Sequence, residues 1–161
     1  MARGSLTLRD AKASDIPVLY KFQSDPEANR LAGFVPRSRP DFVKHWRKIL
    51  KDETVERKMI LLGGEVAGYL VCFTRIRPDR EVGYWIGREH WGKGVATKAL
   101  KTFLREYKFR PLFARVAKHN AASLRVVKKN GFVITGEDKF SNAAGEKYEE
   151  FVLKLSAPRS R

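Results

Sequence analysis

The most informative stretch of the sequence is a glycine-bearing loop between an apolar strand and a helix. Residues 91–97 read Trp-Gly-Lys-Gly-Val-Ala-Thr, and Gly92 and Gly94 directly precede a run with helical periodicity. The first turn of a helix carries backbone N–H groups without intrahelical partners, and the helix dipole is positive there. Glycines let a phosphate approach these N–H groups closely. The spacing indicates either an anion-binding site or a flexible strand-to-helix turn.

Several other catalytic and binding motifs are excluded. The P-loop pattern does not fit this loop, and Thr97 stands where G-x-G-x-x-G needs its third glycine. The histidines His45, His90 and His119 lack metal-ligand spacing, and neither H-E-x-x-H nor G-x-S-x-G occurs. Cys72 lies in an apolar run, so we expect a core residue and not a nucleophile. No metal is therefore expected.

Strands and helices alternate around the loop. Strands are predicted at 6–9, 59–62, 66–73, 81–86, 112–117, 132–137 and 148–155, with Gly63-Gly64 as a hairpin turn and 140–146 as a loop. Helices are predicted after the caps Ser14 and Asp25, from Arg39 onward, and over 95–107 and 121–130. The order predicts an α/β fold (α+β mixed sheet) in one domain, 1–161, with its core over 6–155 and a loose basic tail at 156–161.

The chain is strongly basic. Its 161 residues contain 33 Lys and Arg against 18 Asp and Glu, a formal net charge of +15. This excess predicts attraction to polyanions, such as a phosphorylated cofactor, nucleic acid, an acidic protein or a membrane surface. No apolar run reaches the roughly 18 residues of a membrane span. One cysteine excludes a disulfide framework, so a cytoplasmic protein without a membrane partner is expected.

Two motifs carry a resemblance to a known family. Residues 91–96 resemble the acetyl-CoA pyrophosphate loop of the GNAT superfamily, usually written R/Q-x-x-G-x-G/A. Asn120-x-x-Ser123 and the following Lys129-Asn130-Gly131-Phe132 resemble its next motif, N-x-x-S/A…K-x-G-F. The resemblance covers about 6–155, although the first half matches only in the order of elements. Residues 81–86 and 91–97 are most similar to the ribosomal-protein N-terminal acetyltransferase subgroup.

The resemblance implies a GNAT fold, a central and mostly antiparallel sheet of about six or seven strands flanked by about four helices. The strand with Trp85 and Ile86 would part from 112–117, and the pantetheine arm of acetyl-CoA would lie in the gap. One backbone N–H there would polarise the thioester carbonyl. The implied cofactor-binding residues are Trp85, Ile86, Gly92, Lys93, Gly94, Val95, Ala96, Thr97, Asn120 and Ser123, with Lys128 and Lys129 as further phosphate candidates.

The sequence departs from the superfamily pattern at two positions. Trp91 replaces the usual Arg or Gln, so backbone amides would have to bind the pyrophosphate. Val127 stands where many members carry a tyrosine that protonates the departing thiolate. Another group or water must then supply that proton.

Glu81 is the candidate catalytic residue. A neutral amine must attack the thioester, so a base must accept its proton, and Glu81 shares a strand face with Gly83 and Trp85. Alternatively, Glu81 pairs with a neighbouring arginine, Arg75, Arg77 or Arg80. His90 is expected at the surface, and Phe42 and Trp46 in the core, although Trp46 could also wall the acceptor pocket.

The implied function is acetyl transfer from acetyl-CoA to a primary amine, preferably a protein N-terminal α-amine. The alternatives are a small-molecule amine, or a degenerate GNAT domain that binds RNA. The helical stripe of Lys98, Lys101, Arg105 and Lys108 is either a solvated face or a docking surface for an acidic partner such as ribosomal RNA. A net charge of +15 disfavours polycationic acceptors unless the pocket is locally acidic. A monomer or a homodimer is expected.

Overall fold

The computed structural model describes residues 4–158, where seven strands form one sheet with helices on both faces. The strands are β1 (Leu6–Asp10), β2 (Glu56–Leu62), β3 (Glu65–Thr74), β4 (Arg80–Ile86), β5 (Leu112–Ala117), β6 (Val133–Ser141) and β7 (Lys147–Leu155). The helices are α1 (Ile16–Gln23), α2 (Pro26–Ala32), α3 (Arg39–Lys51), α4 (Val95–Glu106) and α5 (Ala121–Lys129), with 3-10 turns at Ala13–Asp15 and Arg88–His90. The predicted α/β class is confirmed.

The sheet is mixed, as the alternation of elements predicted. Its strand order is β1-β2-β3-β4-β5-β7-β6, and β4 and β5 are the parallel neighbours while the other neighbouring pairs are antiparallel. Only Arg80 and Glu81 of β4 pair with β5, opposite Leu112 and Phe113, although both strands continue. A gap therefore opens between the carboxyl-terminal parts of β4 and β5, and the expected parting of these strands is confirmed.

Each face of the sheet carries its own apolar core. On the face covered by α4 and α5, the buried residues include Leu70, Val82, Ile86, Leu100, Phe103, Val127 and Phe132. On the opposite face, α1 and α3 bury Leu19, Phe42 and Trp46 against Met59. Because side chains alternate along a strand, β4 directs Val82, Tyr84 and Ile86 to the first face, here called the α4 face. It directs Glu81, Gly83 and Trp85 to the other, here called the α1 face.

Two local predictions need correction. The N-cap residue of α1 is Asp15 and not Ser14. The Asp15 carboxylate accepts the N–H of Lys12 at 2.9 Å and forms an ion pair with Arg9. The predicted loop at 140–146 begins later, since β6 continues to Ser141 in register with β7. The predicted Asp25 cap is confirmed, with its carboxylate accepting the N–H of Glu27 at 3.0 Å. Of the tail, 159–161 lie outside the described residues.

Across residues 4–158, no helix has the length and apolar character needed to cross a bilayer.

A thiol and a phenol with raised pKa values predict that the fold loses stability at alkaline pH. Burial raises the pKa of the Cys72 thiol to about 11 and that of the Tyr84 hydroxyl to about 12, from ordinary values near 9 and 10. Groups with raised folded-state pKa values stabilise the fold fully below their unfolded values, and this contribution is lost as the pH rises through the folded ones. We expect the free energy of unfolding in urea to fall from about pH 9 upward. The Cys72→Ala variant should lose less between about pH 9 and 11, and an equal loss would contradict the assignment to Cys72.

Candidate functional site

The loop before α4 leaves the first helical turn open. Gly92 and Gly94 adopt φ values of 74° and 76°, a left-handed region that favours glycine. Gly94 is the N-cap residue, and within residues 4–158 neither a capping side chain nor an acidic first-turn residue occupies this helix start. A Cβ built on Gly92 or Gly94 would meet no described atom within 4 Å. Backbone N–H groups and free space therefore coincide where an anion would bind.

Two side chains hold this loop in place. The Trp91 indole N–H donates to the carbonyl of Ile86 at 2.8 Å, which fixes the loop to the end of β4. The Asn130 amide donates to the carbonyl of Thr97 at 3.3 Å, which ties α5 to the first turn of α4. Trp91 thus has a structural role at the position where the superfamily pattern has Arg or Gln.

The unpaired edge of β4 directs backbone groups into the gap. Gly87 donates its N–H to the carbonyl of Ala67 on β3 at 2.8 Å. Because successive residues of a strand present their hydrogen-bonding groups to opposite sides, the N–H of Ile86 is directed away from β3, toward β5. An N–H directed into the gap can donate a hydrogen bond to a carbonyl placed there.

The gap and the loop form one cleft of about 450 Å³. One wall of the cleft consists of Ala28, Leu31 and Ala32 of α2, and another of Tyr84, Trp85 and Ile86 of β4. The rest of the lining comes from the loop and α4 (His90, Trp91, Gly92, Gly94, Val95, Ala96 and Thr97) and from α5 with its N-cap (Asn120, Ala122, Ser123, Arg125, Val126 and Lys129). Among these described residues, Arg125 and Lys129 are cationic and none is a carboxylate. Such a lining favours an anionic ligand with an apolar portion.

The N-x-x-S motif organises the far wall of the cleft. The Asn120 side chain accepts the N–H of Ser123 at 3.1 Å and so caps α5. The Ser123 hydroxyl then lies 2.6 Å from the hydroxyl of Tyr84 on β4. Two hydroxyl groups therefore meet across the gap. Sequence reasoning missed Tyr84 as a site residue, because its partner lies 39 positions away in the chain.

Glu81 lies at the vertex of the gap, on the α1 face. Both of its carboxylate oxygens accept hydrogen bonds from Arg75, at 3.0 and 2.8 Å, and Arg115 approaches to 3.6 Å. Arg115 also contacts Asp138 and Glu150. The ion pair with Arg75 is one of the arrangements that the sequence left open, whereas Arg80 instead contacts Tyr107, Thr74 and the Cys72 carbonyl.

The structure brings most of the predicted site residues together. Of the implied cofactor-binding residues, Lys93 does not line the described cleft, and its side chain is exposed. The further phosphate candidate Lys128 and the catalytic candidate Glu81 do not line it either. Val127 is 1% exposed in the core. Trp46 is 3% exposed against Tyr69, so its predicted core position holds. His90 was expected at the surface, but it lines the cleft. The sequence analysis also did not predict that α2 forms one wall of this cleft.

This geometry fits acetyl-CoA. The uncapped amides and the space over Gly92 and Gly94 suit a diphosphate, and the gap between β4 and β5 suits a narrow pantetheine arm. Arg125 and Lys129 add positive charge at the cleft. Groups of three or more potential metal ligands are absent from residues 4–158.

Comparisons with known proteins agree with this geometry. The model of the Acetyltransferase (GNAT) domain matches residues 5–133. An uncharacterized N-acetyltransferase p20 of Bacillus licheniformis is 28% identical over 93% of this chain and 92% of its own length. The ribosomal-protein-serine acetyltransferase of Escherichia coli K12 is 28% identical over 59% of this chain and 56% of its own.

Among solved structures, spermidine N-acetyltransferase from Vibrio cholerae, in complex with CoA and spermine, superposes with a TM-score of 0.80 at 19% identity. The superposition covers 94% of this chain and 95% of the Vibrio cholerae chain. At that identity the likeness concerns the fold, whereas the family model covers most of the chain. The chain therefore belongs to the GNAT acetyltransferases and is an acetyl-CoA-dependent N-acetyltransferase.

Proposed function

We propose that this enzyme acetylates the α-amine at the N-terminus of a protein. Acetyl-CoA supplies the acetyl group as a thioester, and the cleft residues hold it so that its carbonyl meets the N–H of Ile86. The acceptor amine would approach from the α1 face, where Glu81, Gly83 and Trp85 lie. A small-molecule amine is the alternative acceptor.

The observation that carries this proposal is an apolar strip of the sheet outside both cores, where Arg75 lies over the Phe73 ring and Lys154 over the Phe113 ring. Phe73 of β3, Phe113 of β5 and Val152 of β7 are half-buried on the α1 face, yet neither apolar core includes them. The strip leads to the vertex where β4 and β5 part. An extended acceptor chain can lie along such a surface, whereas a small amine needs an enclosed pocket.

The charges beside the strip are balanced. Glu81, Asp138 and Glu150 contact Arg115, Glu81 also pairs with Arg75, and the Lys154 ammonium lies 6.0 Å from the centroid of the Phe113 ring. The strip is therefore less basic than the chain as a whole, whose net charge is +15. The relatives include both a ribosomal-protein acetyltransferase and a spermidine acetyltransferase of the same fold.

A direct competition distinguishes the two acceptor classes. Acetyl transfer would be measured with peptides that begin with different residues, with the same peptides blocked at the N-terminus, and with spermidine. We expect turnover of free N-termini and loss of turnover on blocking. If spermidine is acetylated and none of the peptides is, the acceptor is a small amine and not a protein N-terminus.

We also propose that Glu81 accepts the proton of the attacking amine. Its carboxylate lies at the vertex of the gap, and the side chain of its partner Arg75 is 56% exposed, so Arg75 can move away. The Glu81→Gln variant should lower kcat by about 100-fold, because an amide cannot accept the proton.

Glu150 supplies the matched control for Glu81. The two carboxylates are equally buried, at 13% and 12% side-chain exposure, and both contact Arg115. The Glu150→Gln variant should keep kcat within about twofold of the wild type, because it leaves the proposed base in place. The same loss of kcat in both variants would assign Glu81 to the ion-pair cluster alone.

The predicted basic stripe stays a proposed docking surface, although Lys98, Lys101 and Arg105 lie on α4 and Lys108 follows the end of this helix at Glu106. Lys98, Lys101, Arg105 and Lys108 are all exposed, and none forms an ion pair with the residues in the range 4–158. We propose that it attracts an acidic partner such as ribosomal RNA. Salt-dependent RNA binding that weakens when the four cations are replaced by Gln would support it, whereas binding unaffected by their loss would contradict it.

A further inference from the structure

Gly83 occupies a special place on β4. The last paired residues of β4 and β5 are Glu81 and Phe113, so Gly83 lies two positions into the unpaired part of the strand. A side chain at position 83 would point to the α1 face, between those of Glu81 and Trp85. It would therefore stand at the vertex of the gap.

The protein's own structure does not require glycine at this position. Gly83 does not adopt a positive φ. A Cβ built on it would meet only Val71 Cγ2 among the described atoms, at 4.0 Å, which is ordinary contact. At Gly68, by contrast, a Cβ would lie 2.2 Å from the carbonyl oxygen of Trp85. Glycine weakens a strand relative to alanine, and it often marks a place where a ligand approaches the backbone.

The space over Gly83 is bounded on both sides along β4. On one side, the Phe34 ring packs edge-on against Trp85 at 5.9 Å, and the Trp85 indole donates to the carbonyl of Phe22 at 3.0 Å. On the other side, Arg75 covers Glu81. The α1 face of β4 is thus covered at Trp85 and at Glu81, and open between them.

The end of α2 contacts the β6–β7 hairpin. A Cβ built on Gly33 would lie 3.0 Å from the Phe140 ring and 3.2 Å from the Tyr148 ring. The Asn142 amide donates to the Gly33 carbonyl at 3.3 Å and strengthens this bridge. The opening over Gly83 remains on this face of the described structure.

We propose that Gly83 determines acceptor specificity: its missing side chain leaves the passage through which a primary amine on a narrow stem reaches the thioester. This inference rests on the proposed acetyl transfer to an amine entering from the α1 face. It names the site of entry, which holds for an N-terminal α-amine and for an alkylamine alike.

An amine placed in the passage tests this without knowledge of the natural acceptor. Cys72 is fully buried and burial raises its pKa to about 11, so a Gly83→Cys variant offers one reactive thiol in the described chain. Its thiolate displaces bromide from 2-bromoethylamine and leaves a primary amine on a short thioether arm. When acetyl-CoA is added, this amine attacks the carbonyl carbon of the thioester. The amide C–N bond forms, the thioester C–S bond breaks, and CoA leaves as a thiol that carries the proton lost by the amine.

Peptide mass spectrometry reads the result at position 83. We expect the alkylated Gly83→Cys variant to gain one acetyl group at that site. Gly136→Cys, alkylated in the same way, is the control, because Gly136 lies on the same face at the sheet edge with no described atom within 4 Å of a Cβ. Equal acetylation at both positions, or none at position 83 with acetyl-CoA bound, would overturn the proposal.

A second variant tests the passage by closing it. Gly83→Val should leave the Kd for acetyl-CoA within about twofold and raise KM for the best acceptor at least about tenfold, because added methyl groups fill the opening. Loss of acetyl-CoA binding in this variant would overturn the proposal, since the side chain would then lie in the cofactor cleft. If the tethered amine is acetylated while free N-termini are not, the proposed acceptor fails and the passage stands.

Discussion

Replacing Gly94 by tryptophan is expected to weaken acetyl-CoA binding by about 100-fold or more, a loss of about 2.7 kcal/mol at 25 °C. Two effects act together. The φ of 76° at Gly94 disfavours any side chain, and the space into which a side chain would project is the space in front of the uncapped amides of α4. Calorimetric titration with acetyl-CoA at two salt concentrations measures the loss.

Gly64 provides the matched control for this variant. It has a φ of 84° in the β2–β3 turn, it also has no described atom within 4 Å of a Cβ, and it does not line the cleft. Gly64→Trp should therefore suffer similar backbone strain while keeping the wild-type affinity. Equal weakening in both variants would attribute the effect to destabilisation. Unchanged affinity in Gly94→Trp would show that the α4 terminus does not hold the diphosphate.

The features that the sequence predicted well are those set by local pattern. The bounds of β5 agree residue for residue, and α4 and α5 agree within one residue at each end, because apolar periodicity and the glycines at 94 and 131 define them. The glycine loop and the N-x-x-S motif were located for the same reason. Each lies within a few neighbouring residues.

The features that the sequence could not predict depend on contacts between distant elements. The Tyr84–Ser123 hydroxyl pair exists because the gap brings β4 and α5 together, and nothing near either residue indicates it. The extension of β6 to Ser141 also depends on a distant element. Its polar residues have a weak preference for strands, and it is pairing with β7 that keeps them in the sheet. At the start of α1, the N-cap residue is Asp15 and not Ser14, and its carboxylate pairs with Arg9 of β1.

The absent superfamily tyrosine leads to the second large prediction. Val127 is buried in the core and has no proton to donate, so the departing thiolate needs another acid. We propose that the Tyr84–Ser123 pair is that acid, since both side chains line the cleft where the strands part. Burial raises the pKa of Tyr84 to about 12, so its hydroxyl keeps its proton at any working pH of the enzyme.

Tyr84→Phe is expected to lower kcat by about 100-fold and leave the Kd for acetyl-CoA unchanged, because it removes the hydroxyl and little volume. Tyr69→Phe is the control, since Tyr69 is a half-buried tyrosine of the adjacent strand β3 that packs against Trp46 on the opposite face. Full activity in Tyr84→Phe would assign the proton to water or to Ser123 alone.

A double-mutant cycle with Ser123→Ala then asks whether the two hydroxyls act as one unit. If the 2.6 Å contact is the route of the proton, either single variant already breaks it. The double variant should then be hardly slower than the slower single one, as for groups that share one interaction. Additive losses would instead mean that each hydroxyl acts separately. Because each change removes only a hydroxyl, the N-cap bond from Ser123 N–H to Asn120 can persist, and α5 keeps its place in all three variants.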